Sequence, residues 1–408
     1  MLDSAPLPDP HLPAPPHAKG AAVATRTEEE AGSRHRALGL TDDDLLAMYR
    51  TMVMARLCDE AQFRLNRQGK APFVVPVSGH EGCQIGSAWA FEPDKDVFVP
   101  YYRDMGVALT VGLTPRDVFL GVFGKADDPS SGGRQMPAHW GSKEHHIISG
   151  SSPIATQIPH AAGAAYAIKY RGEDGVVGCW FGDGATSEGD WHEGVNFAAI
   201  HKLPVVFFCE NNRYAISVPL SKQMAVKNVA DKASGYGMEG VVVEGNDVLA
   251  CYEASKKAVA KARSGGGPTL VELKTYRFHP HTSDDDDRTY RSREEVEEAK
   301  RNDSLILFGG YLREQGLLDD ETIEQIRVET KAEVDKEVED AWNSADPDPE
   351  SAMLHLFADV EISAPYASTN GSGEVADDAL ETTGGEATPA EPPAEPPAEP
   401  PAEPPVST

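Results

Sequence analysis

Residues 176–212 read VVGCWFGDGATSEGDWHEGVNFAAIHKLPVVFFCENN, and the fold turns on how this stretch divides. An apolar run, 176–181, is long enough for a buried strand and meets Gly182-Asp183-Gly184 at its end. A polar segment follows, in which Thr186 or Ser187 could cap a helix. A second apolar run, 205–209, ends on Glu210-Asn211-Asn212. Strand, helix and strand in this order make a parallel pair, and ligands of open α/β sheets bind where strand ends meet helix starts. Spacing excludes two phosphate loops. No Gly-Lys-Ser/Thr closes the turn as a Walker loop requires. The dinucleotide fingerprint needs a third glycine at position 187, which is serine.

The pattern extends in both directions. DVFVP (96–100), GVVVEG (240–245) and PTLVELKTY (268–276) are further β-type runs, apolar on both faces. AAGAAYAIKYRG (161–172) and VLACYEASKKAVAKARSGGG (248–267) read as helices between strands. The alternation predicts an α/β fold, with a mainly parallel sheet covered by helices on both faces. Helical extensions are expected on either side. At the N-terminal end Thr41 and Asp44 form a capping-box pattern before Leu45, Met48, Met52 and Ala55, and Gly69 suits the stop. At the C-terminal end residues 292–345 are helical by pattern and strongly charged. Three segments are expected: a disordered Pro/Ala-rich leader (1–37), one domain (38–365), and a disordered acidic tail (366–408) ending in a Pro-rich repeat.

Composition narrows the function. The 408 residues carry a formal charge of −29, which argues against nucleic-acid binding, since that rests on neutralising phosphates. No run of apolar residues is long enough to span a membrane. The five cysteines have no metal-type spacing, so buried free thiols in a cytoplasmic protein are expected.

Two adjacent strand ends therefore offer a carboxylate and amides. Magnesium takes a few protein oxygens and completes its shell with diphosphate and water. Asp183, Asn212 and a backbone oxygen near Tyr214 suit a magnesium diphosphate. Gly182-Asp183-Gly184 followed by Asn211-Asn212 resembles the thiamin diphosphate motif. The longer text, GDGATSEGDWHEGVNFAAIHKLPVVFFCENNRYAIS, resembles alpha subunits of the decarboxylase component of 2-oxo acid dehydrogenases, and the likeness runs from about residue 40 to about residue 345.

That resemblance implies a thiamin diphosphate-binding fold and a set of roles. Asp183, Asn212 and the Tyr214 carbonyl would bind Mg²⁺, with Gly182, Gly184 and Ala185 against the cofactor. Tyr102 and Arg103 in PYYRDMG match the pair that holds diphosphate, and Ser152 and Ile154 match cofactor-contacting positions. Ser151, Pro153, Thr156 and Gln157 fall on the ligand positions of a potassium site in branched-chain members. In YRFHPHTSDDDDRTYRS, His281 takes the place of the histidine presented to the reaction centre and the cofactor, with His279 the less favoured alternative. A near-neutral pKa would suit its proton transfers. Phosphorylation of a residue after this histidine regulates some relatives; here Thr282, Ser283 and four aspartates follow.

By the same resemblance, APFVVPVSGHEGCQIGSAWAF (71–91) is closer to branched-chain members, and Phe73 matches an aromatic residue of their substrate pocket. Glu210 stands where some have a phosphate-contacting arginine. The cofactor lies between two chains in this family, so a pyrimidine-binding beta chain is expected, in an alpha2beta2 heterotetramer, with a lipoyl domain of the acyltransferase as acceptor. The expected reaction is oxidative decarboxylation of 3-methyl-2-oxobutanoate and related 2-oxo acids. Pyruvate or acetoin dehydrogenase is the alternative, and a non-catalytic scaffold with a partner-binding tail is the alternative of another class.

Overall fold

The computed structural model describes residues 34–354. Most of the expected leader and the whole of the expected tail lie outside them. Residues 34–37 of that leader form a helical turn, α1 (Arg34–Ala37), anchored by an Arg34–Asp247 ion pair at 2.8 Å and by buried His35. Helix α2 (Asp42–Arg67) starts on the anticipated box: the Asp44 N–H donates to Thr41 Oγ1 and the Thr41 N–H donates to the Asp44 carboxylate. It stops at Gln68, before Gly69 in the left-handed region.

Short helices α3 (Glu81–Ala88), α4 (Met105–Thr110) and α5 (Pro115–Phe123) flank strand β1 (Val97–Val99). The parallel core then runs α6 (Gln157–Arg171), β2 (Val177–Gly182), α7 (Gly189–Ile200) and β3 (Val205–Asn211). A small hairpin, β4 (Tyr214–Ala215) with β5 (Val218–Pro219), leads to α8 (Leu220–Gln223). Strand β6 (Glu239–Glu244), α9 (Val248–Arg263) and β7 (Thr269–Lys274) complete the sheet. Its order is β1-β2-β3-β7-β6, and every neighbouring pair is parallel. Helices α10 (Arg293–Lys300), α11 (Ser304–Glu314) and α12 (Asp320–Trp342) form the expected charged C-terminal part.

Alternation along β3 shows why its run is apolar throughout. Val206 and Phe208 join one core with α2, α3 and α9, while Val205, Phe207 and Cys209 join the other with α6 and α7. Trp180 stacks on Phe208 at 4.9 Å in the first core. All five cysteines are buried and unpaired, as expected. The reading of GVVVEG as apolar on both faces is corrected: β6 is the sheet edge, and Val242 is 44% exposed.

Topology positions the site. The chain leaving β1 turns to the first core through α4, whereas the chain leaving β2 turns to the second through α7. Successive strands that send their connections to opposite faces open a crevice at their carboxyl ends. The expected helix start is also corrected. Residues 183–187 form a 3-10 turn, and α7 begins at Gly189 with no side-chain cap. The Thr186 hydroxyl donates to the Asp183 carbonyl, so it closes the turn instead of capping the helix.

Candidate active site

A cleft of about 560 Å³ lies at the carboxyl ends of β1, β2 and β3. The β2–β3 register sets Gly182 opposite Glu210, so the residues just beyond meet. Asp183 is buried, and its carboxylate accepts from the Asn212 backbone N–H and, at 2.8 Å, from Gln223 Nε2. Burial raises the Asp183 pKa, opposed by the Gln223 hydrogen bond. Asn212 is held from both sides: its Oδ1 accepts from the Tyr214 N–H and its Nδ2 lies 3.2 Å from His80 Nε2. A Cβ at Gly184 would sit 2.7 Å from the Ala215 Cβ, so the second glycine of the loop lets it close on β4. Arg213 and Ile216, which flank Tyr214, take positive φ of 75° and 53°. Such backbone costs on the order of 1–3 kcal/mol per residue and gathers at functional sites.

Arg103 arrives from the β1 end. It is buried, and its Nη groups donate to the Pro76 and His281 carbonyls, with His281 Nδ1 at 3.2 Å from Nη2. Arg277, equally buried, donates to the Tyr214 and Ile216 carbonyls and to the Tyr290 hydroxyl. Their partners are neutral groups, and the Nε of each is buried without a partner. Two guanidiniums without a bound carboxylate leave a local positive surplus, which suits an anion.

His281 feels that surplus. Burial first, then Arg103 and Arg277, push its pKa down to about 3, which corrects the near-neutral expectation for this state of the protein. The guanidinium donates to Nδ1, so the neutral ring carries its proton on Nε2. The loop behind it is organised by Asp285, whose carboxylate accepts from the His281 N–H and the Tyr290 hydroxyl.

The cleft lining includes Tyr102, Arg103, Asp183, Asn212, Tyr214 and His281. Gly182, Gly184, Ala185, Ser151, Ser152, Ile154 and Gln157 line it too. Pro153 and Thr156 belong to the same turn but not to the lining, and the Gln157 amide is committed to the Trp180 carbonyl. Phe73 lines a separate cavity with Trp342 and Lys125. His279 is also elsewhere, packed on Phe63 at 4.7 Å. His139 reaches the cleft indirectly, through Ser152 Oγ at 2.7 Å. Glu210 is wholly buried and turned away from the cleft. It accepts from Tyr101 Oη, Gln84 Nε2 and the carboxyl of Asp104, whose pKa burial and Glu210 raise well above the usual range.

Three residues enter the site without a role assigned from sequence: His80, Arg277 and Gln223. His80 lies between Gly79 and Glu81, and nothing in that setting singled it out. Gly79 is needed there, with φ +100° and a would-be Cβ 2.0 Å from the Tyr276 carbonyl oxygen.

His279 provides a test of burial. Desolvation, then Arg56 and Lys300, lower its pKa to about 4. Below pH 6.5 the unfolded chain takes a proton that the folded chain refuses, so stability falls as pH drops towards 4. We expect the loss of unfolding free energy between pH 7 and pH 4.5 to be smaller by about 2 kcal/mol in His279→Phe, at roughly 1.4 kcal/mol per pH unit. Urea unfolding followed by circular dichroism at the two pH values measures it, and an unchanged loss would count against the assignment.

Among the described residues no helix is long and apolar enough to cross a membrane, and no group of three or more His, Cys, Asp or Glu residues is placed to hold a metal. A magnesium site here would thus depend on mixed oxygen donors.

The model of the family "Dehydrogenase E1 component" matches residues 49–352. The 2-oxoisovalerate dehydrogenase subunit alpha of Bacillus subtilis (strain 168) is 52% identical over 326 residues, covering 80% of this chain and 99% of that protein. The 3-methyl-2-oxobutanoate dehydrogenase subunit alpha of Mycobacterium tuberculosis (strain H37Rv) is 40% identical over 322 residues, covering 79% of this chain and 84% of the relative. The mitochondrial 2-oxoisovalerate dehydrogenase subunit alpha of Homo sapiens is 39% identical over 328 residues, covering 80% and 72%.

Proposed function

This chain belongs to the dehydrogenase E1 component family, and from that membership we propose that it is the alpha subunit of a branched-chain 2-oxo acid dehydrogenase, oxidatively decarboxylating 3-methyl-2-oxobutanoate and its homologues. The family implies dependence on thiamin diphosphate. The observation that carries the site assignment is the donor set: one buried carboxylate, one amide and one strained-loop carbonyl face two guanidiniums across a single cleft.

These residues fit the cofactor. Asp183, Asn212 and the Tyr214 carbonyl are hard oxygen donors suited to Mg²⁺. The unpartnered Nε atoms of Arg103 and Arg277, with Tyr102 beside them, suit a diphosphate. Ser152, Ile154, Gly182, Gly184 and Ala185 complete its walls. Bound there, thiamin diphosphate supplies the nucleophilic carbon and the electron sink for loss of CO₂. The chain's own work is to orient and to move protons. His281, neutral with its proton on Nε2, offers a hydrogen-bond donor there, and Arg103 fixes its tautomer. Burial is the larger cause of the depressed His281 pKa, and a diphosphate held by Arg103 and Arg277 would offset the part due to their charges, moving His281 towards the range where it can exchange protons. A potassium ion at the turn 151–157 is a further proposal, supported by positive φ at Ala155 (69°) and by a Thr156 hydroxyl that makes no cap bond.

An alpha subunit needs a beta subunit. The rim of the cleft supports this, because Ile154, Ile216 and Val218 are apolar and exposed at its mouth. The acyl acceptor proposed is the lipoyl domain of the acyltransferase component. The decisive experiment is turnover of 3-methyl-2-oxobutanoate and of pyruvate by the chain assembled with its cognate beta subunit, using a dye acceptor. Turnover of the first is expected; acceptance of pyruvate alone would move the assignment to a pyruvate-type enzyme.

A further inference from the structure

Among the described residues Gln223 is the one neutral side chain bonded to the Asp183 carboxylate, and half of its amide is idle. Its Nε2 donates to Asp183 Oδ2 at 2.8 Å and to the Val218 carbonyl at 2.9 Å. Two acceptors on that side fix the orientation of the amide, because a flipped group would set oxygen against oxygen. Oε1 is left shielded from solvent with no donor near it, although the residue lines the cleft. A shielded acceptor without a donor is a cost to the folded chain. A neutral apolar side chain would avoid that cost.

We propose that Gln223 is a positioning residue of the cation site: its N–H group holds one oxygen of Asp183, and its carbonyl oxygen accepts from a water on the bound divalent cation. The inference rests on the Mg²⁺-diphosphate reading above. The four-residue helix α8, following the β4–β5 hairpin, carries Gln223 to this point, so the hairpin beside Tyr214 also delivers the outer contact. Contacts of this kind orient the metal's own ligands, and their loss typically weakens metal binding about 10–100-fold.

The test uses the assembled apo complex with its beta subunit. Mg²⁺ is titrated at fixed thiamin diphosphate, and calorimetry gives the Mg²⁺ concentration at half-saturation. Gln223→Met keeps the volume and removes both amide contacts; its half-saturation should rise about 10–100-fold. Gln223→Glu restores an acceptor for the water and should fall well below the Met variant. Apo Gln223→Met is expected to melt somewhat below wild type, since the buried Asp183 Oδ2 loses its donor, so the titrations are run well below both melting temperatures. Half-saturation of Gln223→Met within about twofold of wild type overturns the proposal, since loss of a contact that orients a metal ligand is expected to weaken binding about tenfold or more. A wild type that binds thiamin diphosphate equally well without Mg²⁺ overturns the cation reading itself, and this inference with it.

Discussion

Asp183→Ala is expected to weaken thiamin diphosphate binding by the assembled complex at least ~100-fold, and to remove turnover in step. Outer contacts of a metal site are worth about 10–100-fold, and a direct charged ligand should exceed that. The remaining donors, Asn212 and the Tyr214 carbonyl, are neutral and cannot offset a divalent cation. The same substitution should leave the apo protein as stable as wild type or more so. Asp183 is buried with its pKa raised by desolvation, so in the absence of a cation its charge is a cost. Calorimetry for binding and thermal melting for stability separate the two effects. Unchanged cofactor affinity would remove Asp183 from the cation site, and a non-catalytic scaffold would then become the better reading.

His281→Ala should lower turnover by roughly 10²–10⁴, the usual worth of a positioned acid or base. Cofactor affinity should change far less, since Arg103 retains its bonds to the Pro76 and His281 carbonyls, which are backbone groups. The expected signature is therefore a fall in kcat with little movement in the half-saturating thiamin diphosphate concentration. A large loss of cofactor affinity with normal kcat at saturation would reassign His281 to binding. His279→Ala serves as the control, because that ring packs on Phe63 outside the cleft.

The loop residues of the site were legible in the sequence because they are tied to element ends. Once 176–181 and 205–209 are strands, Asp183 and Asn212 must leave neighbouring strands at the same edge, and parallel register brings them together. Tyr102 and Arg103 were legible only through resemblance, and the fold sets them just beyond the end of β1. His281 was legible only through resemblance, since nothing in its spacing to the sheet predicts its place. Phe73 likewise entered through resemblance, and the fold sets it in a cavity lined by Trp342 and Lys125. Gln223 and Arg277 carried no signal, because a glutamine in a short helix and an arginine after a strand are ordinary surface residues until folded.

Sequence alone determined the α/β alternation, the two capping-box residues of α2, and the loop that ends on Asp183. These depend on side-chain periodicity and on hydrogen bonds between residues a few positions apart. Tertiary structure alone decided which charges are answered. Glu210 shares its burial with Asp104, 106 positions away by difference of their numbers, and so faces inward instead of meeting diphosphate. Arg103 and Arg277 are left without carboxylates, and their combined field with burial displaces the proton of His281. Charge balance in a buried site is a sum over groups that only the fold brings within a few ångströms of each other.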